Sequence, residues 1–126
     1  MVRKFLAPSL LSLALLAGGS AYAEDINGVW LRDTGISKVR FAPCGAAVCG
    51  TISWLKEGAD PNAKVGEKVF FDMKPDGPDS WAGSAFNPED GKTYTGKMTL
   101  SGGTLTTKGC VLGGLICKSI TWTRSN

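Results

Sequence analysis

The sequence predicts an all-β, antiparallel domain, a sandwich or barrel of about eight strands, and three observations carry that prediction. From Asn27 onward, short alternating segments are separated by Gly, Pro, Asp and Asn at intervals of about a dozen residues. No segment carries an apolar stripe of helical period. Four cysteines fall in two close pairs beside turn residues, the pattern of a small disulfide-stapled scaffold.

In chain order, residues 1–23 read as an export signal. Arg3 and Lys4 precede an apolar run from Phe5 to Leu16, and Ala21-Tyr22-Ala23 is a small-x-small cleavage site. The run is short of the roughly 20 apolar residues that span a bilayer, and no later segment is longer, so no membrane span is expected. Cleavage would leave residues 24–126 as one domain, placed in a bacterial periplasm or secreted. Strands are expected near 27–32, 37–42, 48–55, 68–74, 80–86, 92–100, 104–111 and 115–124. Asp33-Thr34-Gly35, Pro75-Asp76-Gly77-Pro78, Asn87-Pro88-Glu89-Asp90-Gly91 and Gly102-Gly103 supply the fixed or positive φ that reversals need. Lys56 to Glu67 is the longest connection, the one segment suited to a lid, with slight signs of a short helix.

Charge narrows the partners. The signal takes Arg3 and Lys4 with it, leaving twelve basic residues against eleven acidic ones, a balance that gives no reason to expect nucleic acid or an anionic membrane. The chain contains no histidine, which excludes Ser-His-Asp and Cys-His catalysis, histidine-ligated metals and a histidine pH switch. No cofactor or metal is expected, and an enzyme is the least favoured reading. Acid–base work would have to rest on Asp72, Asp76, Asp79, Glu89 or Asp90. All but Asp72 sit where carboxylates cap turns.

Cys44, Cys49, Cys110 and Cys117 admit three pairings. Pro43 and Gly45-Ala46-Ala47 around the first pair, and Leu112-Gly113-Gly114 inside the second, favour the local disulfides Cys44–Cys49 and Cys110–Cys117. Loops this short are worth roughly 2 to 2.5 kcal/mol each, against about 4.4 for a long cross-link, so stability alone does not select the pairing. A zinc site would call for tighter spacing and reduced thiols.

Period-two alternation assigns the faces. Tyr94, Gly96, Met98 and Leu100 share one side of their strand, opposite Thr93, Thr95, Lys97 and Thr99. In the last strand Ile116, Lys118, Ile120 and Trp122 fall together, which sets a lysine on an apolar face. Its ammonium either snorkels to a rim or meets an acid or a ligand. Cys49-Gly50-Thr51-Ile52-Ser53-Trp54 and Cys117-Lys118-Ser119-Ile120-Thr121-Trp122 share one pattern, which implies two equivalent stapled hairpins with Ile and Trp on the same face.

Gly28-Val29-Trp30 in the first strand and Trp122-Thr123-Arg124 in the last resemble the lipocalins and their relatives. That resemblance implies an up-and-down barrel whose floor is formed by Gly28, Trp30 and Arg124, the guanidinium lying on the indole. A resemblance covering nearly the whole mature chain, to the bacterial family domain of unknown function 2147, rests on several segments. These are Pro43-Cys44-Gly45 to Val48-Cys49-Gly50, Ile52-Ser53-Trp54-Leu55, Trp81-Ala82-Gly83, Phe86 to Tyr94, Gly109-Cys110 and the two end motifs. It implies an exported lipocalin-like barrel and assigns no activity. The chain departs from that family's pattern at Asp60-Pro61-Asn62 to Gly66, where members often carry a longer, arginine-containing segment.

A barrel of eight strands is filled by side chains or holds one small ligand. Trp54, Trp81, Tyr94, Met98 and Trp122 are bulky, whereas Gly83, Ala85 and Gly96 leave room beside them. The first functional expectation is therefore a small amphiphilic or anionic ligand bound by Trp54, Trp81, Tyr94, Met98 and Lys118. The second is a protein partner in the envelope, such as an enzyme inhibited through Lys56 to Glu67 or Lys74 to Asp79.

Overall fold

In the computed structural model, which describes residues 25–125, eight antiparallel strands close into an up-and-down barrel. They are β1 (Gly28–Arg32), β2 (Ser37–Cys44), β3 (Ala47–Leu55), β4 (Lys68–Gly77), β5 (Ser80–Asn87), β6 (Lys92–Ser101), β7 (Thr104–Val111) and β8 (Ile116–Ser125). Each strand pairs with its neighbours in sequence, and β8 returns to β1 through the register Trp30↔Arg124 and Arg32↔Trp122. Closure leaves no sheet edge along the paired length, which removes the main route to strand-mediated aggregation. The expected export signal, residues 1–23, lies outside the described residues.

The connections sort the barrel into two ends. Residues 45–46, 78–79 and 102–103 turn at the floor, and residues 33–36, 56–67, 88–91 and 112–115 turn at the mouth. Both cysteine pairs are disulfides, Cys44–Cys49 beside a floor turn and Cys110–Cys117 across the β7–β8 connection at the mouth. The two stapled hairpins therefore sit at opposite ends rather than as equivalents. Disulfides of this kind belong to an oxidising compartment.

The floor is packed. Ile26, Trp30, Val39, Phe41, Met73, Met98 and Leu105 are almost wholly buried. Each such side chain contributes about 1.5–3 kcal/mol of hydrophobic burial. Trp30 Nε1 donates to the Ile26 carbonyl at 2.8 Å, so the buried indole loses no hydrogen bond. Arg124 stacks over Trp30 with Cζ 4.2 Å from the ring centroid. Its Nη1 and Nη2 donate to the carbonyls of Asn27 and Asp25, both at 2.8 Å. Gly28 has φ +117°, and a side chain there would come within 3.3 Å of that guanidinium. Glycine is thus required both by backbone and by space.

Two bulges set which residues face inward. The β2–β3 register passes from Lys38↔Trp54 to Val39↔Ile52, leaving Ser53 unpaired. Alternation reverses there, so Ile52 and Leu55 point in and Trp54 points out. In β4, Asp72 adopts φ 52° as an extra residue between Phe71 and Lys74. This keeps Phe70 and Met73 both inside at a spacing of three. Asp72 itself is exposed, and its left-handed conformation is one that aspartate tolerates better than most residues.

Gly83 lies against the same bulge. A methyl group on it would stand 2.5 Å from the Phe71 carbonyl oxygen and 2.6 Å from that of Asp72, and one on Gly96 would stand 3.0 Å from the Ser84 carbonyl carbon. These glycines, expected to hollow the interior beside bulky neighbours, instead let strand backbones approach. The reversal expected over residues 75–78 starts later, because β4 continues through Gly77. Residues 56–67 form turns without a helix; Asp60 Oδ1 accepts from Asn62 N at 2.7 Å, and Lys56 N donates to the Ile36 carbonyl at 2.9 Å.

Candidate functional site

Above the packed floor the barrel is hollow. A cavity of about 500 Å³ opens at the mouth, and its wall is built largely from Val39, Ile52, Val69, Phe70, Ile120 and Trp122. Phe70 meets Trp122 edge to face at 6.3 Å and tilts against Phe41 at 5.3 Å, so the aromatic side is a braced surface. Trp122 Nε1 donates to Thr107 Oγ1 at 2.9 Å, which satisfies both buried polar groups and leaves the ring face apolar. Ala59, Asp60 and Ala63 bring the long β3–β4 connection to the rim.

Polar groups enter the wall at several places. Arg32 continues the inward series Gly28, Trp30, Arg32 and stands across from Trp122. Its Nε is buried with no hydrogen-bond partner, and among the described residues no carboxylate lies within 4.0 Å of its guanidinium. Lys118, nearer the mouth, pairs with Gly109, over which the Tyr94 side chain leans from β6. The Tyr94 hydroxyl donates to Asp90 Oδ2 on the β5–β6 turn. That bond holds the Asp90 carboxyl below its usual range, helped by Lys92, whose amide N donates to Oδ1. The same bond pushes Tyr94 above the ordinary phenol value. The turn is otherwise closed by Asn87 Oδ1 accepting from Glu89 N at 2.9 Å, so Asn87 and Asp90 cap it with their side-chain oxygens.

The structure separates the five residues expected to bind a ligand. Tyr94 and Lys118 line the cavity. Trp81 and Met98 are paired across β5–β6 and lie buried in the core, outside the cavity lining. Trp54 is on the outer surface, 40% exposed, with Lys38 Nζ 5.5 Å from its ring centroid. The bulge at Ser53 is the reason, and it also breaks the expected match with Ile120 and Trp122, which both face inward. Arg32 is the residue the sequence reading passed over, although its alternation with Trp30 already places it inside.

A family model described as "Uncharacterized protein conserved in bacteria (DUF2147)" matches residues 28–124. The chain belongs to this family. The DUF2147 match runs from the Gly28-Val29-Trp30 strand to Arg124, so it spans every strand and both ends of the barrel floor. A comparison with curated proteins finds no match. Among solved structures the DUF2147 chain is similar to protein HP1028 from the human pathogen Helicobacter pylori, which is described as belonging to the lipocalin family. The two are 22% identical with a TM-score of 0.64, covering 81% of this chain and 84% of that one. This likeness establishes the lipocalin-like fold of the DUF2147 barrel.

Proposed function

We propose that the protein binds a small anionic amphiphile in the mouth half of its barrel, in the bacterial periplasm, as a binding protein and not an enzyme. The observation that carries this reading is an apolar cavity of about 500 Å³ with Arg32 set into its wall and that arginine's Nε buried without a partner. The volume falls within the roughly 300–1,000 Å³ of small-molecule sites. A guanidinium with no carboxylate partner, set beside an indole, favours an incoming carboxylate, phosphate or sulfate, whose charge it complements. The ligand tail would lie along Ile52, Val69, Phe70 and Ile120, and its head group would face Arg32, with exposed Lys118 adding a weaker attraction. Asp60, Glu89 and Asp90 belong to mouth loops and stand at the rim, where they disfavour a ligand with a second negative charge at its outer end.

Native mass spectrometry of protein purified from its own periplasm tests this reading. A retained small anionic molecule is the expected result. A co-purifying envelope protein with an empty barrel would replace the reading by that of an interaction module.

A further inference from the structure

The apolar wall of the cavity does not stop at the rim. Val111 and Ile116, which flank the β7–β8 connection, both line the cavity and are both exposed, at 37% and 57%. Beyond them Leu112 and Leu115 are exposed at 68% and 83%. The connection is held in shape: Cys110–Cys117 clamps its base, and Leu115 N donates to the Leu112 carbonyl at 3.3 Å. Leu112 takes φ 54°, a conformation that costs a leucine free energy. Since β1 ends at Arg32 opposite Trp122, residues Ile116 to Ile120 of β8 pair with β7 alone. On this side the wall is therefore an apolar ribbon that runs on past Arg32 and ends in bare leucines.

Charge decides which end of an amphiphile points inward. The mouth loops hold six acids against the two lysines Lys56 and Lys64, and three of those acids, Asp60, Glu89 and Asp90, line the cavity. An anionic head is repelled from such a rim and attracted to Arg32 below it. Length follows from the strand. Trp122, level with Arg32, and Ile116 are six residues apart on β8, about 20 Å of extended chain. At roughly 1.3 Å per methylene, the rise given by carbon–carbon bonds of about 1.5 Å at tetrahedral angles, a straight chain needs about sixteen carbons to cover that distance.

Resting on the reading of the cavity as a site for an anionic amphiphile, we propose that the ligand is a single-chain amphiphile of about sixteen carbons. Its head lies at Arg32, and the end of its tail emerges against Leu112, Leu115 and Ile116. A tail in that position covers side chains that otherwise meet water, and it continues the apolar lining through Val111 and Ile116. A shorter chain leaves the leucines bare, and the reverse orientation sets the head among the rim acids.

Isothermal titration with decanoate and hexadecanoate, each below its micelle concentration, tests the proposal in wild type and in a Leu112→Ser, Leu115→Ser variant whose fold is checked by circular dichroism. Hexadecanoate is expected to bind wild type about ten-fold or more tightly than decanoate, and that ratio should fall about five-fold or more in the variant. Orientation is read from tryptophan emission, because Trp122 is the one tryptophan in the cavity lining. Quenching by 2-bromohexadecanoate and none by 16-bromohexadecanoate is the expected pattern. An affinity ratio unchanged by the leucine substitutions, or quenching by the terminal bromine alone, would overturn the proposal, and Arg32-dependent binding of decanoate would then still uphold the cavity reading. Failure of both carboxylates to bind would overturn the two together.

Discussion

Replacing Arg124 with alanine removes a side chain that joins the end of the barrel to its beginning. Two Nη–H groups donate to the carbonyls of Asn27 and Asp25, and the guanidinium plane covers Trp30 at 4.2 Å. Hydrogen bonds from a charged donor are worth about 1.5–3 kcal/mol each when desolvated. Arg124 is exposed, however, so water takes over both carbonyls in the variant and the pair is worth roughly 1 kcal/mol. Stacking on the indole adds about 0.5–1 kcal/mol. The expected loss is therefore about 1.5–2 kcal/mol, a fall in Tm of roughly 6–12 °C for a domain of this size. Thermal unfolding followed by near-ultraviolet circular dichroism measures it, and Arg124→Lys should recover only part, since an ammonium cannot reach both carbonyls while covering the ring. Cavity binding should be unchanged, because Arg124 stands at the opposite end. A Tm for Arg124→Ala within about 2 °C of wild type would refute the reasoning that the floor is held by this residue.

Three further substitutions probe other parts of the structure. Gly83→Ala should cost about 2–3 kcal/mol in urea unfolding, because the added methyl meets the β4 backbone at 2.5 Å and backbone does not yield; a loss below about 0.5 kcal/mol would contradict the bulge geometry. Ala85→Leu should leave stability nearly unchanged and weaken ligand binding, since it projects into open cavity; destabilisation by about 1–3 kcal/mol with no binding effect would mean the space is already packed. The Asp90–Tyr94 bond makes a pH prediction with two signs. Asp90 is depressed, so its contribution is present above the usual carboxylate value and disappears as pH falls through its lowered one. Tyr94 is raised, so its contribution is present below the ordinary phenol value and disappears as pH rises through the elevated one. Asp90→Asn should return the Tyr94 phenolate transition, read at its ultraviolet absorbance, toward the ordinary value; an unmoved transition would show that the bond does not control it.

The strands were legible because each announces itself locally. Turn residues such as Asp33-Thr34-Gly35 and Gly102-Gly103 mark reversals whatever the tertiary structure, and every strand was placed within a few residues of its observed bounds. Facing was legible only where alternation runs unbroken, as in β6 and β8. It failed at Trp54, because the Ser53 bulge depends on pairing with β2 and leaves no mark in the sequence of β3 alone. Gly83 and Gly96 leave space for neighbouring strands and not for a ligand, a distinction that needs the strand separation. Arg32 could have been found from Gly28 and Trp30 by the same alternation that singled out Lys118. A cavity above a packed floor, in contrast, depends on how far Trp30, Phe41, Met73 and Met98 fill one half of the barrel, which composition does not reveal.

On the proposed function, Arg32 offers its positive charge to a ligand head group inside an apolar chamber. Isothermal titration of delipidated protein with dodecanoate and with dodecanol tests it most directly. Saturable one-to-one binding of the carboxylate, weaker binding of the alcohol, and a loss of about ten-fold or more in carboxylate affinity in Arg32→Met are predicted. Equal affinity for both ligands, unchanged in Arg32→Met, would contradict it.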